Sequence, residues 1–323
     1  MSEAYLKEVD SIKGPVLSIL KKEGYQAVDM HFHTRFSVDA LTAVPSVIAK
    51  CREDSIGVAI TDHNAIRGSL KARKLAGKSV FLVPGIEITC HKGVHILLHF
   101  YTYNELKEFF NKRLKKRIAV NPWFIGLNHE EVIDLADKYN CLITAPHPFG
   151  PGFIGIKKFR PKPKTIKKIH AVEVINGCCV GNMNTKAIAW AKKIDKSFIG
   201  GSDGHCLAEL GTSLTICKAD TVEEFLNQIK KKKTVVIGKE EQLLDDAVHA
   251  VEKFVREEEK APYKQLEKMW KSRGLLEWSY FKKKIRSTEF FHHFHSHHHK
   301  ISKDRLARHK HTKHLIKYIL NKS

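Results

Sequence analysis

Between residues 27 and 240 the chain repeats one pattern: a short apolar run, a polar end, and in several places a stretch with helical spacing. The apolar runs fall at 27–30, 58–60, 80–83, 94–98, 141–144, 171–175 and 197–199, with helical patterns at 44–53, 130–139 and 186–193 between some of them. Strand-then-helix alternation argues for a parallel sheet with crossover helices, and seven such runs argue for a barrel more than an open sheet. Neither the glycine fingerprint of a dinucleotide site nor a phosphate-loop signature is present, so nucleotide binding by those routes is unsupported.

The polar ends of the runs carry the chemistry. The first run leads to His31-Phe32-His33, then Thr34, Ser37 and Asp39; the second ends in Thr61-Asp62-His63-Asn64. The third passes through Pro84-Gly85 to Glu87, the fourth begins at His95, the fifth ends in Pro146-His147-Pro148, and the seventh ends in Ser202-Asp203-Gly204-His205. Two histidines at i and i+2 on a strand share a face, so one cation can take both. In a parallel β/α barrel the carboxyl ends of the strands converge on one mouth. Imidazoles and carboxylates crowded there need a compensating charge, which a metal supplies. Histidine with carboxylate suits Zn²⁺, Mn²⁺ or Fe²⁺ better than Ca²⁺.

Composition narrows the setting. The chain has 323 residues, 42% of them hydrophobic, which is enough to bury a core and rules out wholesale disorder. No apolar run approaches the ~20 residues of a membrane span, and residues 1–26 lack the apolar core of a secretory signal. A soluble, cytoplasmic protein is expected. Lys+Arg number 56 and Asp+Glu 35, a net charge of +21, which favours polyanionic partners: RNA or DNA, phosphorylated small molecules or an acidic membrane surface. Cys51, Cys90, Cys141, Cys178, Cys179, Cys206 and Cys217 include no CxxC pair, so neither a disulfide framework nor a thiolate zinc site fits. Two basic segments interrupt the strand pattern: 106–117, a lysine-rich stretch with helical spacing, and 149–168, a Gly/Pro/Lys loop; each reads as solvated, the alternative being that both flank the entry path of an anionic substrate. Past residue 240 the strand-like runs stop and the composition turns helical, with Glu257-Glu258-Glu259 followed by a Lys/Arg/His-rich end. A boundary is therefore expected there, with a domain over 1–240 and a basic helical extension over 241–323.

The segments DMHFHTRFSVDA, ITDHN, PGIEIT, VHILLHF, APHPFG, VEVING and GGSDGHCLAELG, in this order across residues 27–218, resemble the polymerase and histidinol phosphatase (PHP) superfamily of metal-dependent phosphoesterases. The resemblance implies a distorted (β/α)7 barrel with two or three divalent ions (Mn, Zn or Fe) at its mouth. It implies one ion held by His31, His33, Glu87 and Asp203, a second sharing Glu87 with His95 and His147, and a third on Asp39, His63 and His205. Hydrolysis of a phosphomonoester, or of a nucleotide or oligonucleotide phosphate, by metal-activated hydroxide is the activity it implies. His63, Asp203 and His205 are the candidates for direct catalytic roles, with His63 or His205 as proton donor to the leaving oxygen where it is not fully committed to metal.

Three features depart from the family pattern. An extra residue precedes Asp39 in the first motif. The stretch from His95 to His147 is short beside that of nucleotide phosphatases resembling the tryptophan-operon-linked members, which implies a different lid and substrate scope. Gly150 stands where an arginine often follows the His-Pro-Phe motif, leaving Arg35, Lys157 and Arg160 as candidate phosphate contacts. Two other readings stay open. An amidohydrolase-type barrel also opens with His-x-His, but normally adds a bridging lysine and a late lone aspartate. A non-catalytic nucleic-acid binder would use the metals structurally and show salt-sensitive binding without turnover.

Overall fold

The computed structural model describes residues 2–6, 15–118, 124–179 and 181–238. Among them, ten strands form one sheet: β1 (Glu3–Leu6), β2 (Tyr25–Phe32), β3 (Gly57–Ile60), β4 (Leu82–Thr89), β5 (His95–Phe100), β6 (Cys141–Ala145), β7 (Ala171–Asn176), β8 (Ser197–Gly201), β9 (Ser213–Lys218) and β10 (Val235–Gly238). Their order is β1-β10-β9-β2-β3-β4-β5-β6-β7-β8. The ring closes from β8 back to β2 through main-chain bonds: Asp203 N–H donates to His31 O at 2.7 Å and His33 N–H to Gly204 O at 2.9 Å. The fold is thus a distorted (β/α)7 barrel of β2 to β8, with β9, β10 and β1 flanking it.

The barrel strands are buried almost throughout, which is why they read as apolar runs rather than as alternating patterns. Helices Val44–Asp54, Arg67–Ala76, His129–Ala136 and Met183–Lys193 cover the outside, each turning an apolar stripe inward. Two helix starts carry reciprocal capping boxes, Thr102 with Glu105 and Asn128 with Glu131.

The structure corrects the sequence expectation at four places. The sheet is mixed, since β5 runs antiparallel to both β4 and β6, and β9 runs antiparallel to both β2 and β10. Only Cys90 to Val94 separate β4 from β5, too short for a crossover, so the chain can only turn back as a hairpin. The third strand does not stop at Pro84-Gly85 but continues through Glu87 to Thr89. Gly85 serves packing rather than a turn: a Cβ there would lie 2.8 Å from Thr61 Cγ2. Residues 106–117 are helical as their spacing suggests but not simply solvated, since Leu106, Phe109 and Leu114 are buried, and a π-helical turn falls at Phe110–Leu114. Within 149–168, Pro163–Lys168 forms a helix. The segment after residue 238, with its domain boundary and histidine-rich run, lies outside the described residues.

Candidate metal centre

The mixed topology still delivers every ligand-type residue to one mouth. His31 lies in β2 and His33 one residue past its end, His63 follows β3, and Glu87 lies within β4. His147 and Asp203 each sit two residues beyond β6 and β8, while His95 opens β5, whose reversed direction brings its start to the end where its neighbours finish. Asp39 comes from the turn after β2.

Four atoms form the tightest group. His31 Nε2 and His33 Nε2 are 3.1 Å apart. Asp203 Oδ1 lies 3.2 and 3.1 Å from them, and Glu87 Oε2 3.2 and 3.3 Å. Atoms that share one cation at ~2.0–2.1 Å are separated by roughly 3 Å in an octahedral arrangement and roughly 3.4 Å in a tetrahedral one. The four are spaced as ligands of a single ion. A second group forms on the other oxygen of the same carboxylate. Glu87 Oε1 lies 3.0 Å from His95 Nδ1 and 3.3 Å from His147 Nε2, and those two nitrogens are 3.3 Å apart. In a third group, Asp39 Oδ2 lies 3.2 Å from His63 Nε2 and 3.1 Å from His205 Nε2. His33 stacks on His205 with ring centroids 4.4 Å apart, joining this group to the first.

The donor set fits divalent metal. Glu87 is fully buried, yet its Oε2 has no hydrogen-bond partner although His31, His33 and His63 nitrogens surround it at 3.1–3.3 Å. An unmatched buried acceptor costs about 1–3 kcal/mol, more when charged, and a shared cation removes that cost. The proton equilibria show the same demand. Burial pulls His33 down, but Asp203 and Glu87 outweigh it and push the imidazole up to about 10. Burial raises Glu87 and Asp203, yet the imidazoles His95, His31 and His63 about the one, and His31, His33 and His147 about the other, hold both well below the usual carboxylate range. His95 goes the other way, down to about 4, because burial and the like charge of His63 and His147 exceed the pull of Glu87 alone.

A second layer of side chains orients these groups. Glu173, buried in β7, accepts from His31 Nδ1–H at 3.0 Å, which turns the His31 Nε2 lone pair toward the mouth. Its other oxygen accepts from His147 N–H at 2.8 Å and from Asn176 Nδ2 at 2.9 Å, and the same Asn176 amide donates to Asp203 Oδ2 at 3.1 Å. His205 Nδ1–H donates to Asp203 O at 2.8 Å, leaving Nε2 to face Asp39. Ser37 Oγ donates to Asp39 Oδ1 at 2.7 Å and accepts from His63 N–H at 3.1 Å, so the extra residue in this motif does not carry Asp39 away. Asp203, Asn64 and His147 have φ of 53°, 51° and 25°, a clustering of left-handed backbone typical of functional sites.

Sequence reasoning misses Glu173 and Asn176, although a signal for them exists. The run that becomes β7 has no ligand-type residue assigned to it, yet its AVEVIN carries one carboxylate among apolar neighbours. Of the candidate phosphate contacts, Arg35 and Arg160 are exposed, and Lys157 Nζ lies 5.3 Å over the Trp190 ring.

A seven-stranded barrel with imidazoles and carboxylates gathered at one mouth defines a class of metallo-barrels, and comparison with known proteins narrows it. The PHP-associated family matches residues 181–234. An uncharacterized protein of Methanocaldococcus jannaschii is 29% identical over 229 residues, covering 67% of this chain and 84% of that protein. Among solved structures, a two-domain protein of Bacteroides vulgatus containing a predicted PHP-like metal-dependent phosphoesterase aligns with a TM-score of 0.51 at 17% identity, over 73% of this chain and 68% of that one. The lesion-specific endonuclease Q of Pyrococcus furiosus aligns at 0.51 and 18% identity over 66% of this chain. Endonuclease Q in complex with a 27-mer duplex substrate bearing an abasic lesion gives 0.51 and 19% over 64%. In both cases the match spans 57% of the endonuclease. Residues 181–234 are thus similar to the PHP-associated family, and the barrel shares the fold of these PHP-like structures.

Proposed function

We propose that this chain is a metal-dependent phosphoesterase whose mouth residues hold two or three divalent ions. The observation that carries the reading is Glu87, which presents one oxygen to His31 and His33 and the other to His95 and His147. A carboxylate so placed would serve two cations at once and offset their mutual repulsion. In this reading His31, His33, Glu87 and Asp203 hold one ion, Glu87, His95 and His147 a second, and Asp39, His63 and His205 a third. Bound there, divalent ions supply the Lewis acidity that brings water toward neutral pKa and offsets charge on a phosphoryl oxygen.

The chain's own groups do the rest. Glu173 and Asn176 fix His31 and Asp203 so that the donor atoms need no reorganisation. Where only two ions are held and the third group carries none, a protonated His205 keeps one proton on Asp203 O and presents Nε2–H toward the mouth, where it can pass to the leaving oxygen. His63 is the alternative donor, with Nδ1 2.9 Å from Thr89 Oγ1. The test is a substrate panel with Mn²⁺, covering simple aryl phosphates, mononucleotides, nucleoside bisphosphates and 5′-phosphorylated RNA, with cyclic amides alongside. Metal-dependent release of phosphate or cleavage of a phosphodiester is expected. Turnover of cyclic amides alone would assign the barrel to amidohydrolase chemistry instead.

A further inference from the structure

Beside the mouth lies a cavity of about 650 Å³ whose lining includes Phe36, Arg67, Lys71, Arg73, Lys74 and Lys107. Five of these six side chains are cationic. The ion pairs made by described lysines engage Lys50, Lys112, Lys162, Lys168 and Lys232; none of the five has a carboxylate partner among the described residues. Aromatic rings hold three of them in place. Arg67 and Lys71 lie over the Phe36 ring, at 5.1 and 5.8 Å from its centre, and Arg73 lies 4.8 Å from the centre of Tyr103. The like charges converge on one cavity and are left for an anion to neutralise.

The cavity is tied to the candidate centre through two short connections. Phe36 stands between Thr34 and Ser37 in the turn that carries His33 and Asp39, and three residues span at most about 11 Å. Ser37 touches both Asp39 and the His63 amide. The Arg67–Ala76 helix begins four residues after His63, and its Gly68 packs against the Asp62 carboxylate and Thr34 Oγ1 with no room for a Cβ. Thr34 in turn donates to Asp62 through its amide at 2.6 Å and its hydroxyl at 2.9 Å. The basic helix is thereby fixed to the rim of the mouth.

Arg67, Lys71 and Lys74 stand at i, i+4 and i+7, one helix face about 10 Å long. A row of cations of that length can meet successive phosphates of a strand, whereas the far phosphate of a small bisphosphate needs only one or two of these cations. We propose that this pocket is a second anion site that holds the phosphates flanking the scissile bond of a nucleic-acid strand. That a bond is cut there rests on the phosphoesterase reading; the binding itself is measurable without catalysis.

The experiment uses the full chain in EDTA with a fluorescein-labelled short single-stranded DNA, read by anisotropy across a salt series. Lys71→Glu combined with Lys74→Glu changes two exposed positions and is expected to weaken binding at least tenfold. The slope of log affinity against log salt should become shallower by about 0.7 for each phosphate no longer neutralised. Lys192→Glu with Lys193→Glu, the same charge change on another exposed helix, should bind as wild type does. Turnover of p-nitrophenyl phosphate should be unchanged in both variants. Equal weakening in both pairs would overturn the pocket in favour of diffuse charge. Unaltered DNA binding with a raised KM for a nucleoside bisphosphate would overturn the strand in favour of a small ligand. If wild type hydrolysed no ester with any metal, the phosphoesterase reading would fail while the anisotropy result still decided the pocket.

Discussion

Glu87 and Asp39 are both buried carboxylates at the mouth, yet they differ in what they can lose. Glu87→Gln removes a charge from between two groups of imidazoles, whereas Asp39→Asn changes a group facing His63 and His205 that water can partly replace. The Gln variant is expected to lose at least a hundredfold in kcat/KM and the Asn variant about tenfold, read on one phosphoester; near-wild-type turnover in the Gln variant would remove the bridge. Glu173→Gln keeps the size of the side chain but surrenders an acceptor shared by His31, His147 and Asn176. A loss of ten- to a hundredfold in metal affinity, measured by chelator competition, is the expected scale for such a supporting group. His99 makes a separate prediction about acid stability. It donates Nε2–H to Met30 O at 2.8 Å, leaves Nδ1 without a partner, and is held by burial down to about 4. The unfolded chain takes up this proton near 6.5 and the folded chain only near 4. Its stabilising effect is therefore complete above pH 6.5 and disappears as pH falls toward 4, by at most about 3 kcal/mol. His99→Gln, which retains a donor for Met30 O, should lose less stability between pH 7 and 5 in urea titrations; an unchanged loss would place the acid sensitivity elsewhere. At this scale the sequence was informative about side chains that break an apolar pattern at a strand end, as His31, His63, Asp203 and His205 do. It was silent on which of them Glu173 would orient, because a hydrogen bond across 142 residues leaves no local trace.

Strand existence was legible from the apolar runs; strand direction was not, since burial on both faces gives the same residues whichever way a strand runs. The antiparallel β5 is the instructive case. Its five-residue connection from β4 carried the information, with Lys92 at φ 66° and Gly93 at φ 87° making the hairpin turn, whereas the reversal from β5 to β6 spans residues 101–140 and could not be read from loop length. The three flanking strands β1, β9 and β10 were missed for a related reason: short runs such as Val235–Gly238 resemble any apolar tetrapeptide until a neighbour pairs with them. Closure of the barrel depends on close approach between β8 and β2 at Gly201, where a Cβ would lie 2.6 Å from His31 N and also overlap His31 Cβ. Backbone cannot move aside as a flexible side chain can. Gly201→Ala should therefore cost about 1–3 kcal/mol and weaken metal binding through His31. Unchanged midpoints in both urea and metal titrations would show that the seam can relax.

Charge is distributed over the whole chain rather than confined to its end. Residues 1–240 carry 37 Lys+Arg against 24 Asp+Glu, and residues 241–323 carry 19 against 11, so the barrel portion alone has a net charge of +13. Such a charge favours polyanionic partners, and among the described residues no helix is long and apolar enough to cross a membrane. The last segment adds a different chemistry: residues 292–299 read HHFHSHHH, and residues 288–323 hold eight Lys+Arg against two Asp+Glu. These residues lie outside those the structure describes, but β10 at Val235–Gly238 supplies the last strand of the described sheet, so a cut at 288 removes none of its elements. Neutral imidazoles without pre-placed carboxylates bind metal weakly and release it below pH ~6.5, whereas the mouth pairs each group of imidazoles with a buried carboxylate. Deletion of 288–323 is thus expected to abolish the weaker, acid-labile metal binding and to reduce affinity for single-stranded DNA severalfold. The tighter equivalents and the turnover of a small aryl phosphate should be retained. Calorimetric metal titrations at pH 7.5 and 5.5, run beside the aryl phosphate assay, distinguish the two populations. Loss of small-substrate turnover in a truncated chain whose melting is unchanged would place the basic segment in the active site and erase the boundary near 240.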